Sequence, residues 1–222
     1  MSRNYAETIA DWYLRLNGFF TVQDFVLHPP ESGLQNSSDT DILAVRFPDV
    51  SEKIGYVHPP DWTFLDDCDT DSFNEWDLAL DKGVTAPIVQ VKGGDTRADI
   101  TEFSVERLLY AIKRVGLFAE VEWATIQQEL VHRAVTFRVY QLLPAANAAE
   151  PITQRYAIGK LVISKVPTSH NGPWVHLSLA SAEKFIYERF KTYKERKPYD
   201  WDKFPNELMQ YMLWRVQRGL EE

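Results

Sequence analysis

The run Pro87-Ile-Val-Gln-Val-Lys92, followed by Gly93-Gly94, constrains this chain most. It is short, apolar and β-branched, which predicts a strand in the interior of a sheet. Side chains alternate across a strand, so Gln90 and Lys92 share one face and Val89 and Val91 the other. A lysine closing such a strand is unusual for packing alone. The two glycines leave room for close backbone approach.

The same signals predict the neighbouring elements. Ile9, Trp12, Tyr13 and Leu16 follow helical spacing, so a helix is expected from Asn4 to about Asn17. Asn4 is its N-cap, with Glu7 three residues on, and Gly18 ends it. Phe19 to Leu27 reads as a strand stopped by Pro29-Pro30. Thr40 to Phe47 reads as a second, stopped by Pro48. Residues 49–85 read as an insertion with a short helix from Phe73 to Lys82. A helix is expected to follow the Asp99/Glu102 capping pattern and to run to Val115. His132 to Leu143 and Ile158 to Lys165 read as strands. Two C-terminal helices are expected near 180–196 and 205–219. This order predicts an α/β fold, a mixed sheet flanked by helices. The expected division is a core over 1–143 carrying the acidic insertion, and a C-terminal strand and helical extension over 144–222 packed on it.

Composition narrows the function classes. The chain has 222 residues, 45% of them hydrophobic, which suffices for a proper core. One cysteine, Cys68, excludes an intrachain disulfide and a paired-cysteine zinc site. The first residues lack the apolar core of a signal peptide, and no apolar run nears the roughly 20 residues of a membrane helix. A cytoplasmic location and no membrane partner are therefore expected. The net charge of −8 opposes nucleic-acid binding at face value. Yet eight acids fall between Asp61 and Asp81 with no Lys or Arg among them, and outside that segment acids and bases balance.

Phosphate-binding glycine loops, nucleophile elbows and HExxH zinc helices are absent. The five histidines are dispersed, which favours structural or surface roles. What remains is a set of acids and one lysine. Asp41 begins the second strand, and Gln90 and Lys92 share a face of the next.

Ser-Asp-Thr-Asp41-Ile-Leu-Ala-Val and Ile-Val-Gln90-Val-Lys92-Gly-Gly resemble the PD-(D/E)xK nuclease superfamily, over roughly residues 4–143. The resemblance implies a restriction-endonuclease-like α/β/α core and metal-dependent hydrolysis of phosphodiester bonds, DNA being the expected substrate. It implies Mg²⁺ or Mn²⁺ held by Asp41, Gln90, the Val91 carbonyl and Glu106, with Lys92 orienting the attacking water. Glu7 resembles an additional acid of resolvase-like members. The chain departs from the pattern at Gln90, where the family has an acid. Glu106, or Glu102 one turn earlier, can supply a migrated carboxylate from the following helix. Asp39 shares a strand face with Asp41. Lys113, Arg114, Lys191 and Lys194 are the candidate phosphate contacts, and a homodimer or larger assembly is a candidate state. Gln90 and the acidic balance also suit a second expectation, an inactive nuclease-fold subunit with a structural or regulatory role.

Overall fold

A computed structural model describes residues 4–27, 38–48, 50, 53–56, 64–66, 83–94, 103–142, 152–166, 172–193 and 206–220. These residues form a mixed α/β fold with a six-stranded sheet, a two-stranded sheet and five helices. No helix among them is long and apolar enough to cross a membrane.

The first helix, α1 (Tyr5–Leu16), starts where Asn4 Oδ1 accepts the Ala6 N–H at 3.2 Å. It is followed by β1 (Phe20–Leu27) and β2 (Ser38–Val45), then by β3 (Lys53–Tyr56) and β4 (Phe64–Asp66), a separate antiparallel pair within the expected insertion. The expected helix at 73–82 and most of the acidic run lie outside the described residues. Next come β5 (Gly83–Lys92) and α2 (Val105–Val115). Strand β5 begins four residues before Pro87 and so takes in the last residues assigned to the insertion. Gly83 therefore opens a strand directly after the residues expected to form the short helix. A Cβ at Gly83 would collide with the Arg155 carbonyl oxygen, so the close pairing of the two strands requires glycine there.

Helix α3 (Glu120–His132) precedes β6 (Val135–Leu142), so His132 ends a helix where a strand was expected to begin. Then come β7 (Ile152–Ser164), β8 (Val175–Ser178), α4 (Leu179–Tyr193) and α5 (Glu207–Gln217). Sheet order is β1-β2-β5-β7-β6. One edge of β7 pairs parallel with β5; the other takes β6 antiparallel along its first half and β8 parallel along its second. The segment after residue 143 thus supplies the strand beside β5, as well as two helices.

Alternation divides the sheet into two apolar faces. Ile42, Ala44, Val89, Val91, Leu161 and Ile163 pack with α1, α4 and α5. Leu43, Ala86, Ile88 and Ile158 pack with α2 and α3. The architecture is therefore helix, sheet, helix.

A carboxylate, an amide and a lysine at one end of the sheet

Antiparallel pairing sets Ile42 against Val89 and Leu43 against Ile88. One step further along the ladder, Asp41 comes beside Gln90. Both belong to the α2/α3 face, because Leu43 and Ile88 do and the strand period is two. Lys92 follows on that face, at the end of β5.

The side chains of Asp41 and Gln90 meet. Gln90 Nε2 donates to Asp41 Oδ2 at 2.6 Å, and the Val91 backbone N–H donates to the same oxygen at 2.6 Å. Hydrogen bonds to a charged acceptor are the stronger kind and fix the carboxylate's orientation. Gln90 is buried, whereas Asp41 and Lys92 are half-buried and reach the rim. A glutamate at position 90 would set two negative charges side by side; glutamine joins them by a hydrogen bond instead.

The other candidates are distributed as follows. Glu7 is half-buried in the first turn of α1, which belongs to the opposite layer. That turn reaches the same end of the sheet: a Cβ at Gly93 would lie 2.8 Å from Ala6 Cβ and 3.4 Å from Asn4 Oδ1. The backbone approach read from Gly93 is thus the approach of α1. Glu106 is exposed in the first turn of α2. Glu102 and Lys194 lie outside the described residues. Lys113 and Arg114 occupy the last turn of α2, with Lys113 Nζ 4.6 Å from the centroid of the Trp123 ring. Lys191 is exposed on α4, in the other layer, so it does not extend their basic surface. Among the described residues, no three His, Cys, Asp or Glu side chains converge to hold a metal ion.

Two residues not singled out by sequence adjoin the cluster. Ser164 is the Cα partner of Lys92 across the parallel β5–β7 pair. Its Oγ donates to the Val166 carbonyl at 2.7 Å and lies 2.8 Å from His176 Nε2. A hydroxyl has one hydrogen, so both contacts coexist only if His176 carries its proton on Nε2 and donates. That tautomer does not activate Ser164 as a nucleophile. Partial desolvation holds the His176 pKa below the ordinary imidazole value.

One layer further in, Lys160 is 1% exposed. Its ammonium donates to the Leu130 carbonyl in the last turn of α3, the end of a helix dipole that favours a cation. Burial lowers its pKa to about 8.

Comparisons with family models, with curated proteins and with solved structures give no match for this chain.

Proposed function

We propose that this chain is a metal-dependent nuclease with a restriction-endonuclease-like core, hydrolysing phosphodiester bonds in nucleic acid, with DNA the expected substrate. The observation that carries the reading is the meeting of Asp41, Gln90 and the Val91 backbone at the end of β2 and β5, on the face that also carries Lys92. The order of the elements supports it as well: a helix, the aspartate strand β2, the lysine strand β5 and a following helix α2 come in turn, with the β3–β4 pair between the two strands.

The donor set suits a hard cation. Asp41 offers carboxylate oxygen, the Val91 carbonyl is a second hard ligand, and Gln90 can add its amide oxygen by turning the amide over. Mg²⁺ commonly takes one or two carboxylates and keeps several waters. A bound divalent ion supplies Lewis acidity and a water of lowered pKa. Lys92 contributes a positive charge against the phosphate and a donor to align the attacking water. The Val91 N–H keeps Asp41 oriented when the Gln90 amide turns over, so the reorganisation is confined to that amide.

A second reading is favoured by one detail of the same contact. Gln90 presents its donor to Asp41, leaving the carboxylate satisfied within the protein, and a single carboxylate brings one negative charge. In that reading the chain is an inactive nuclease-fold subunit, structural or regulatory within a larger assembly.

Incubation with DNA and with RNA, in Mg²⁺ or Mn²⁺ and in EDTA, tests the first reading. Cutting is expected only with the ion, and Lys92→Ala is expected to reduce it at least ~100-fold, the effect of removing one stabilising donor, with the melting temperature unchanged. Calorimetric titration with Mn²⁺ should show binding that Asp41→Asn removes and Gln90→Glu tightens. Cutting that survives both EDTA and Lys92→Ala overturns the mechanism. A wild-type protein that neither binds Mn²⁺ nor cuts leaves the scaffold reading.

A further inference from the structure

A cavity of about 410 Å³ opens on the α2/α3 side of the sheet, walled by Phe103, Ser104, Pro173, Trp174 and Lys160. It is built from the segments that flank the Asp41–Lys92 cluster. Phe103 and Ser104 lead into α2, the helix that follows β5. Trp174 leads into β8 and stands two residues before His176. Lys160 is the Cα partner of Ile88, one step of the alternation before Gln90. Along the strand, Gln90 lies about 7 Å and Lys92 about 13 Å from the level of Lys160, so a nucleotide can reach from the cavity to the cluster.

The walls are flat and seated. The rings of Phe103 and Trp174 are 6.2 Å apart at 36°, so they do not stack flat on one another. A Cβ at residue 172 would collide with the Trp174 ring, so the indole lies over bare glycine backbone. The Trp174 backbone N–H donates to the Gly172 carbonyl at 2.8 Å, which fixes the turn. Polar groups are few. The Ser104 hydroxyl makes no capping bond to α2, and the buried Lys160 side chain, its ammonium given to the Leu130 carbonyl, closes the floor. Aromatic walls with one or two donors are what a nucleobase requires: a face to stack on and a partner for its ring nitrogen or carbonyl edge. The volume lies near the small end of ligand cavities, which run from roughly 300 to 1,000 Å³. It has room for one base and its sugar.

We infer that this cavity receives a single unpaired nucleobase of a strand whose phosphate lies at the Asp41–Lys92 end, which makes the substrate single-stranded or locally unpaired. The inference rests on the nuclease reading for the phosphate, and on its own geometry for the base.

The test measures binding without cutting. Fluorescence anisotropy in EDTA compares a short single-stranded oligonucleotide, as DNA and as RNA, with the same sugar–phosphate chain made wholly abasic. The strand with bases is expected to bind about tenfold more tightly, the scale of one stacked base. Trp174→Leu and Phe103→Leu keep apolar volume and remove a ring; each is expected to collapse that ratio toward one while the abasic chain binds as before. Equal binding of the two chains by the wild type overturns the cavity assignment and leaves the nuclease reading standing. A ratio that survives both ring variants places the base elsewhere and also overturns it. Absence of binding to every strand overturns the nucleic-acid reading itself.

Discussion

The two faces of the sheet use the same strands differently. Toward α1, α4 and α5 the buried residues are mostly apolar: Ile42 and Ala44 on β2, Val89 and Val91 on β5, Leu161 and Ile163 on β7 join one cluster, and the buried polar residues Thr40 and Thr85 on that face are small and uncharged. Toward α2 and α3 the apolar cluster takes in Leu43, Ile88 and Ile158, and Val162 is the one buried apolar residue of β7 beyond it on that face. Beyond them stand Asp41, Gln90, Lys92, Lys160 and Ser164. The difference arises within single strands, residue by residue. One face fastens the sheet to three helices, and the other exchanges packing for polar groups and a cavity. Apolar packing dominates one side of the backbone, and the charged and amide groups collect on the other.

The largest expected effect comes from moving polarity to the wrong side. Val89→Asn puts an amide among the apolar side chains of Ile42, Val91 and Leu161. Lost apolar burial and an unsatisfied polar group together should cost about 3–5 kcal/mol of unfolding free energy. Gln90→Val, one residue on and equally buried, removes a donor from Asp41 but leaves the Val91 N–H in place. Its cost should stay within about 1 kcal/mol. Urea denaturation of the two variants side by side measures the contrast. Comparable losses would mean that the faces are not divided in this way.

How much of this was legible in sequence follows from the range of the forces involved. The Asp41, Gln90 and Lys92 face was readable because strand alternation is local and Ile-Val-Gln-Val-Lys displays it over five residues. Helix α1 was readable from its spacing and its asparagine cap. Helix α3 escaped because Val121 and Val131 are exposed apolar residues that blur its inward stripe of Trp123, Ile126 and Leu130. The four-residue β8 is too short to show a period; it exists as a strand because β7 offers its second half as an edge. The same long-range pairing brings His176 to Ser164. The Trp174 cavity depends on Gly172 and on the Phe103 ring just before α2, so the turn Gly172-Pro173-Trp174 was the only local hint.

Lys160 sharpens the comparison through pH. A lysine here belongs to the polar face, yet it is buried as deeply as the core. Its pKa falls from 10.5 in the unfolded chain to about 8 in the fold, because burial disfavours the charge. The Leu130 carbonyl and the end of α3 act in the opposite sense. Below pH 8 both states are protonated and the burial penalty is fully present. Between pH 8 and 10.5 the unfolded chain holds more protons, so stability rises with pH. The slope in that window is at most about 1.4 kcal/mol per pH unit, the worth of one proton. The wild type should therefore gain roughly 2 kcal/mol between pH 7.5 and 10 relative to Lys160→Met. Groups common to both proteins cancel in that difference. Parallel stability profiles would show that Lys160 is solvated after all.

The smallest effect concerns how the thinner layer is fastened at its far edge. Glu129 on α3 accepts from Arg133 at 2.7 Å, from Arg138 on β6, and from the buried Thr136 hydroxyl. Burial by itself would raise the pKa of this carboxyl, but the hydrogen bonds and charges of the two arginines outweigh it and hold the pKa below 4.5. Such a group stabilises the fold above its unfolded pKa and ceases to do so as pH falls below it. Glu129→Gln keeps an acceptor for Thr136 and removes only the charge, so the cost at pH 7 should be about 1 kcal/mol. It should shrink as the pH falls below 4.5 and through the lowered pKa of the folded state. The arginines should contribute unequally. The Arg133 side chain is 54% exposed and that of Arg138 27%, so salt screens the first pair more. Arg138→Met should therefore reproduce most of the Glu129→Gln loss, and Arg133→Met little of it. Hydrogen exchange at α3 amides gives the local readout, since this pair joins α3 to β6 and not to the core of the opposite face. Opening of α3 in Glu129→Gln without change in α1 would show that the two layers respond separately. Equal acceleration in both would make them one cooperative unit.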